Sequence, residues 1–353
     1  TVYHMNNSKF IFILRDADRG EAKLFMNRIR DAVNKTNVFK GYKFDFDLYS
    51  SGIMLNDYQG ETSTILSKLE YMLDRAKETR SRELLVFNDM VLINGQEHVN
   101  IMKVIHSSVM NHCDGFYVEY QPIVSSVDGQ IAGAEALVRW KNKEYGVVSP
   151  GLFIDWLEDT PAMYEPGNFV METSIRDAVE FRKINKDFFI NINASSEQLS
   201  RPVFGFEVAD ILAKYDFPAD HIWLEITERC RDLPIDVIKS VIAFIKETGM
   251  NVALDDYGTG SASSQLLVEL PIDEVKIDMS FIKGIKDQKK KQGMVKSIVD
   301  FANSVGMNSC IEGIEDESVR DYMQRYNSTW FQGYCFSKPV SAETLKKLLM
   351  DAH

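Results

Sequence analysis

The sequence predicts an α/β protein whose larger part is a (β/α)8 barrel, preceded by a smaller α+β segment. Two observations carry the barrel. From Phe116 onward, eight short apolar runs alternate with helix-like amphipathic stretches over about 240 residues, the size of such a barrel. Each run also ends at or beside a polar or charged residue, and barrels place their chemistry at the carboxyl ends of their strands. A third observation sets the front of the chain apart, because the periodicity changes character between residues 90 and 100.

Before that change the pattern reads as a short strand (10–14), an amphipathic helix (19–34), a strand (44–53), a helix (63–79) and a closing strand (83–87). "INGQEH" (93–98) reads as a break and 97–112 as a connecting helix, so the expected boundaries are 1–92, a 93–115 linker helix and 116–353. The eight barrel runs are "FYVEYQPIV", "IAGAEALVRW", "DFFININ", "HIWLEITE", "NVALDD", "EVKID", "NSCIEG" and "STWFQG". Amphipathic stretches at 208–215, 235–248, 293–305 and 317–326 are expected as crossover helices. The first connection, "SSVDGQ", is too short for a parallel crossover, so the first two runs should pair as an antiparallel hairpin.

The chain has 353 residues, 45% hydrophobic and 26% charged, ordinary values for a globular protein with a sizeable core. It lacks an initiator methionine and reads as part of a longer protein whose front could carry a sensor or a membrane anchor. No apolar run spans a bilayer, so no membrane contact is expected of this piece. A formal net charge of -12 argues against nucleic-acid polymers, whose binding needs clustered Lys and Arg. Four cysteines with no CxxC pair suit a reducing compartment, and the cytoplasm is expected.

The strand ends hold Glu135, Asn193, Glu225, Asp255, Asp256, Lys276, Glu312 and Gln332. Singly, each is weak evidence, because a lone strand-end acid is more often a cap or a surface ion-pair partner. Together, five carboxylates in one mouth cannot all stay ionised without cations. None of the six histidines falls at a strand end, so the donors are oxygens, which favours Mg2+ or Mn2+ over zinc. A shared Asp255 between two cations about 3.5 to 4 Å apart is the arrangement used for phosphoester hydrolysis. The abundant Met and Phe residues read as core filling.

These residues resemble the EAL-domain family of cyclic di-GMP phosphodiesterases over roughly residue 116 to the C-terminus. "YQPIV" is similar to the family's opening strand and "EALVRW" carries its Glu-Ala-Leu. "NINASSEQL", "LEITE", "DDYGTG", "KID", "EGIE" and "QGYCFSKP" resemble, in order, its remaining signatures. The resemblance implies a TIM-like barrel with one antiparallel strand and metal-dependent hydrolysis of cyclic di-GMP to linear pGpG. It implies Glu135, Asn193, Glu225 and Asp255 as ligands of one Mg2+ or Mn2+ ion, with Asp255, Asp256 and Glu312 serving a second. Lys276 would orient the attacking water, Glu312 is also a general-base candidate, and Gln332 would support the site. Glu228 would anchor the loop after Asp256. Gln121, Leu137 and Arg139 resemble substrate contacts, and a homodimer is expected by analogy.

The sequence departs from the family where DDFGTGYSSL reads "DDYGTGSASS", with Tyr257, Ser261, Ala262 and Ser264 in altered positions. Asp155 stands where a proline is common. These changes bear on rate, regulation and dimer coupling, since every metal-site residue is kept. The front segment resembles the C-terminal part of a GGDEF, diguanylate cyclase-like domain, but residues 6–10 read Asn-Asn-Ser-Lys-Phe. The glycines that permit phosphate approach and the acids that serve a metal are gone, so no cyclase activity is expected. Two rivals remain at this stage: a catalytically silent cyclic di-GMP receptor, and an enzyme using Lys276 in a Schiff base.

Overall fold

The computed structural model describes residues 2–4, 9–15, 17–35, 38–39, 42–43, 47–55, 65–78, 84–86, 89–158, 160–227, 230, 233–258 and 263–351. They form two compact units, Thr1–Ile105 and His106–His353. In the first unit, Val2–His4 pairs antiparallel with Phe10–Phe12 and Ser50–Gly52 pairs parallel with Leu84–Val86. Helices cover Arg19–Lys35 and Ile65–Glu78, within one or two residues of expectation. Of the expected strand over 44–53, Ser50–Gly52 is extended, and residues 44–46 lie outside the described residues. The helix Asp89–Met110 runs through "INGQEH" without a break. Gly95 misled the reading there, since one helical glycine costs only about 1 kcal/mol and a long helix tolerates it.

The second unit is a closed barrel. Its strands are β1 (Phe116–Ser125), β2 (Ile131–Asn142), β3 (Phe189–Asn193), β4 (Ile222–Ile226), β5 (Asn251–Tyr257), β6 (Glu274–Ile277), β7 (Asn308–Ile311) and β8 (Trp330–Gln332). All eight coincide with the apolar runs. β3 to β8 are parallel neighbours in chain order, β2 pairs parallel with β3, and β1 closes the ring antiparallel to both β2 and β8. The tight turn between β1 and β2 explains the reversal: Gly129 N–H donates to Ser125 O at 3.0 Å with φ +72, a conformation glycine adopts without strain.

Several elements were not read from the sequence, two of them between β2 and β3. Gly146–Val148 extends β2 as an antiparallel flap, and a 19-residue helix, Tyr164–Arg182, makes the crossover from β2 to β3. Pro166 and Gly167 obscure that helix's periodicity, yet proline in a first turn has no hydrogen bond to lose. The helix read as starting at Gly293 begins earlier, at Lys289. It is capped at its far end by Gly306.

Most of the core lies between strands and outer helices, where Ile190, Ile192, Leu224, Val252, Leu254 and Val275 are fully buried. Strand alternation turns the intervening residues into the barrel. Phe189, Trp223, Ala253, Cys310 and Ile123 plug its floor, with the Trp330 ring 4.7 Å from Phe189 and 5.1 Å from Trp223. This apolar plug leaves the opposite, carboxyl-terminal mouth for polar side chains.

Candidate active site

Glu135, Asn193, Glu225, Asp255, Lys276 and Gln332 stand two residues, or one alternation step, above the floor residues Gly133, Asn191, Trp223, Ala253, Glu274 and Trp330 on the same strands. Glu312 follows the last residue of β7, and its N–H donates to Ile277 O at 3.1 Å, which fixes the backbone there. Gly313 then turns with φ +68, and a Cβ there would come within 2.2 Å of Met279 Cβ. Only glycine fits that close passage.

Lys276 is the centre of the site. Fully buried, its Nζ lies 2.6 Å from Glu225 Oε1, 2.8 Å from Glu312 Oε1 and 3.3 Å from both Glu135 Oε2 and Asp255 Oδ1. Burial alone would lower its pKa, but Asp255, Glu135, Glu225 and Glu312 more than reverse this and hold it well above the ordinary lysine range. The amine is therefore an ammonium, which opposes a Schiff-base role.

The surrounding acids are tuned unequally. Burial pushes Glu135 up, but Lys276, Gln332 and Asn193 together bring it below the usual carboxylate range. Its Oε1 accepts from Asn193 Nδ2 at 3.0 Å and its Oε2 from Gln332 Nε2 at 2.7 Å. Glu225 is raised well above its ordinary value by burial and by the charge of Glu135. Burial also raises Asp255 and Glu312, with Lys276 offsetting part of the effect. Asp256, the exposed member, is pushed up to about 6 by desolvation and by Asp255.

Consecutive strand residues normally face opposite ways. Here the β5–β6 register shifts between Leu254 and Tyr257, and Asp256 adopts φ +54. This bulge turns Asp256 back toward the mouth, so that carboxylate oxygens of Asp255, Asp256 and Glu312 lie within 4.8 Å of one another. A second group, Glu135, Glu225 and Asp255, meets the same limit and shares Asp255.

The oxygen set fits hard divalent cations. Once all five carboxyls are ionised, five negative charges less one ammonium would leave four, which two such ions would balance. Glu225 Oε2 and Gln332 Oε1 are buried and accept no hydrogen bond from the protein. Orphaned buried oxygens are costly unless a ligand uses them.

The expected substrate contacts line one wall. Gln121 Nε2 donates to Ser337 O at 3.3 Å, and Gln121 Oε1 accepts from Gln332 Nε2 at 3.2 Å. Leu137 is half-buried one alternation step beyond Glu135. Arg139 is engaged by Glu119 at 2.8 Å, a partner the sequence reading missed although the two belong to adjacent strands of one hairpin. Asn191 was also missed: its Nδ2 donates to Glu225 Oε1 at 2.8 Å, and its place two residues before Asn193 was the available signal. Glu228 lies outside the described residues, as do residues 259–262 of the altered loop.

A family model, the EAL domain, matches residues 108–339. PdeR of Escherichia coli (strain K12), named a cyclic di-GMP phosphodiesterase, is 27% identical over 299 residues, covering 84% of this chain and 45% of its own length. MucR of Pseudomonas aeruginosa, named a bifunctional diguanylate cyclase/cyclic di-GMP phosphodiesterase, is 22% identical over 347 residues, 98% of this chain and 50% of its own. The chain thus spans about half the length of these curated relatives. The solved structure of the EAL enzyme Bd1971 in its cAMP- and cyclic-di-GMP-bound form is similar with a TM-score of 0.68 and 27% identity, covering 82% of this chain and 77% of that one. Matched over more than half its length, with its barrel closed by one antiparallel strand beside its own Glu-Ala-Leu segment, the chain belongs to the EAL-domain family.

Proposed function

We propose that the barrel hydrolyses cyclic di-GMP to linear 5'-pGpG, dependent on two divalent cations, Mg2+ or Mn2+. The observation that carries this is the pair of acidic groups that share Asp255 around the buried Lys276 ammonium. Similarity to relatives named cyclic di-GMP phosphodiesterases supports the substrate. Glu135, Asn193, Glu225 and Asp255 would hold one ion, and Asp255, Asp256 and Glu312 the other. Bound there, the ions supply charge neutralisation and Lewis-acid polarisation of phosphate oxygens.

The chain's own groups do the rest. The Lys276 ammonium, donating from beneath, orients water at the mouth and favours developing negative charge. Glu312, its carboxyl raised in pKa, is the base candidate for the water proton. Gln332 ties Glu135 to Gln121, joining the ligand set to the substrate wall. Leu137 offers apolar surface to a base, and Arg139 a fork for a phosphate or a guanine edge. Glu228, outside the described residues, is read from the family resemblance as the anchor of the loop after Asp256.

The front segment, 1–92 with a 93–115 linker, is read as a degenerate, truncated GGDEF-like domain without cyclase activity, acting as scaffold or regulator. The reading places the protein in the cytoplasm as a homodimer, with room for a sensor domain in the full-length chain. Among the described residues no helix is long and apolar enough to cross a membrane. Glu135→Ala tests the site: hydrolysis is expected to vanish, and an unchanged rate would sink the ligand assignment.

A further inference from the structure

Asp256 and Glu312, the two acids assigned to the second cation beside the shared Asp255, sit at the roots of two loops that meet one support. β6 ends at Ile277, which pairs with Tyr257 of β5 on one side and with Ile311 of β7 on the other. Ile277 O also accepts the Glu312 N–H at 3.1 Å. The chain then enters the short helix Met279–Ile282, whose N-cap Asp278 accepts from Ser280 N–H at 2.9 Å through Oδ1. Ile282 and Ile285 are buried at its far end, and Lys291 Nζ, from the next helix, donates to Ser280 O at 2.6 Å and to Lys283 O at 2.7 Å. Both ends of the helix are thus held.

Each neighbouring loop meets that helix through a glycine. Gly313 directly follows Glu312, and a Cβ on it would collide with Cβ and Cα of Met279. Gly258, two residues after Asp256, has φ +95, and a Cβ on it would lie 2.8 Å from Cε2 and Cζ of Phe281. The bare Gly258 Cα therefore rests against the edge of the Phe281 ring with no side chain between them. Phe281 is half-buried, with its inner part packed on the barrel core. The Tyr257 pairing and the Phe281 ring together hold the chain at two successive residues beyond the left-handed turn at Asp256.

We propose that the helix Met279–Ile282 is a spacer that sets the separation of Asp256 and Glu312 for the second cation, with Phe281 as the positioning residue on the Asp256 side. Phe281 acts through Gly258 and takes no part in the chemistry itself. A small hard cation tolerates little drift of its carboxylates, about 0.5 Å in a working site. Loss of the ring contact therefore acts on the ion that uses Asp256 and spares the ion held by Glu135, Asn193, Glu225 and Asp255. The inference rests on the proposed two-cation site.

The test is calorimetric titration of Mn2+ into the EDTA-stripped, dialysed chain, with the EPR spectrum of the loaded protein, in which two Mn2+ about 3.5 to 4 Å apart are spin-coupled. Both readouts are independent of turnover. F281L keeps the inner carbons against the core and deletes Cε2 and Cζ, the atoms that meet Gly258. It is expected to weaken one Mn2+ by about 10-fold or more, the usual cost of losing a partner that orients a ligand, and to leave the other within about 3-fold. The coupled signal should give way to that of isolated Mn2+ at concentrations that fill both sites of the unaltered chain. F281M, long enough to reach Gly258, should restore both affinities to within about 3-fold. A role in core packing alone would neither separate the two ions nor favour Met over Leu. G258A disturbs the same contact from the loop, should lose the same ion, and carries the test should F281L not fold. Unchanged affinities in F281L or G258A, both ions weakened alike, or a loss that F281M shares in full would overturn the spacer. Fewer than two Mn2+ on the unaltered chain would overturn the two-cation reading and the spacer with it.

Discussion

Asp255 and Asp256 are neighbours in sequence, yet both carboxylates share one group with Glu312, because a bulge and a left-handed backbone at Asp256 undo the alternation of β5. Asparagine tolerates that conformation and alanine does not. Asp256→Asn should therefore keep its melting temperature while losing most of its hydrolysis. Asp256→Ala should lose the same activity and about 1 kcal/mol of stability besides. Melting curves beside initial rates check both, and an active Asp256→Asn enzyme would exclude this carboxylate from the site.

Lys276 links four acids that otherwise repel. Lys276→Ala should lower kcat by about 100-fold or more, the scale of removing one preorganised charge, with a much smaller change in KM. In EDTA it should also cost roughly 3–5 kcal/mol, since a buried ion pair is broken from one side. Saturating Mg2+ or Mn2+ should recover part of that stability. Equal losses in kcat and substrate affinity would assign the lysine to binding instead.

Glu274 makes the metal-free fold sensitive to pH. Its ordinary value is 4.5 and burial pushes it to about 8 in the folded chain. Between these values the folded state keeps a proton that the unfolded state has released, so stability falls as pH rises through the window. E274Q has no such proton. In EDTA the unaltered chain should lose melting temperature more steeply than E274Q from about pH 5 to pH 8, leaving E274Q the more stable at the alkaline end. Parallel curves would contradict a neutral carboxyl at this position.

Arg139 is paired to Glu119 at the mouth, with both side chains partly exposed. If Arg139 meets the substrate, Arg139→Ala should raise KM for cyclic di-GMP about 10-fold with kcat within about 2-fold, the pattern of uniform binding lost. Glu119→Gln frees the guanidinium and should lower KM. Steady-state kinetics of the two variants decide, and a KM unmoved by Arg139→Ala would remove it from the substrate wall.

All eight barrel strands were readable because each is a short apolar run bounded by turn residues, and the antiparallel first strand followed from the length of "SSVDGQ" alone. The convergence of Glu135, Glu225, Asp255, Lys276 and Glu312 followed from strand-end position. The buried polar residues Asn191 and Glu274 did not: they lie inside runs that look uniformly buried, and which strand residue faces inward depends on register. The bulge at Asp256 and the Arg139–Glu119 pair likewise arise from tertiary geometry that one-dimensional spacing does not carry. The helix through "INGQEH" was hidden by a glycine that helices tolerate.

The most direct test of the central claim is to incubate the purified chain with cyclic di-GMP and Mg2+ or Mn2+, with an EDTA control, and to separate the products by chromatography. The account predicts linear pGpG in either metal and none in EDTA. Cyclic di-GMP bound but recovered intact in both metals would contradict it and make the barrel a receptor.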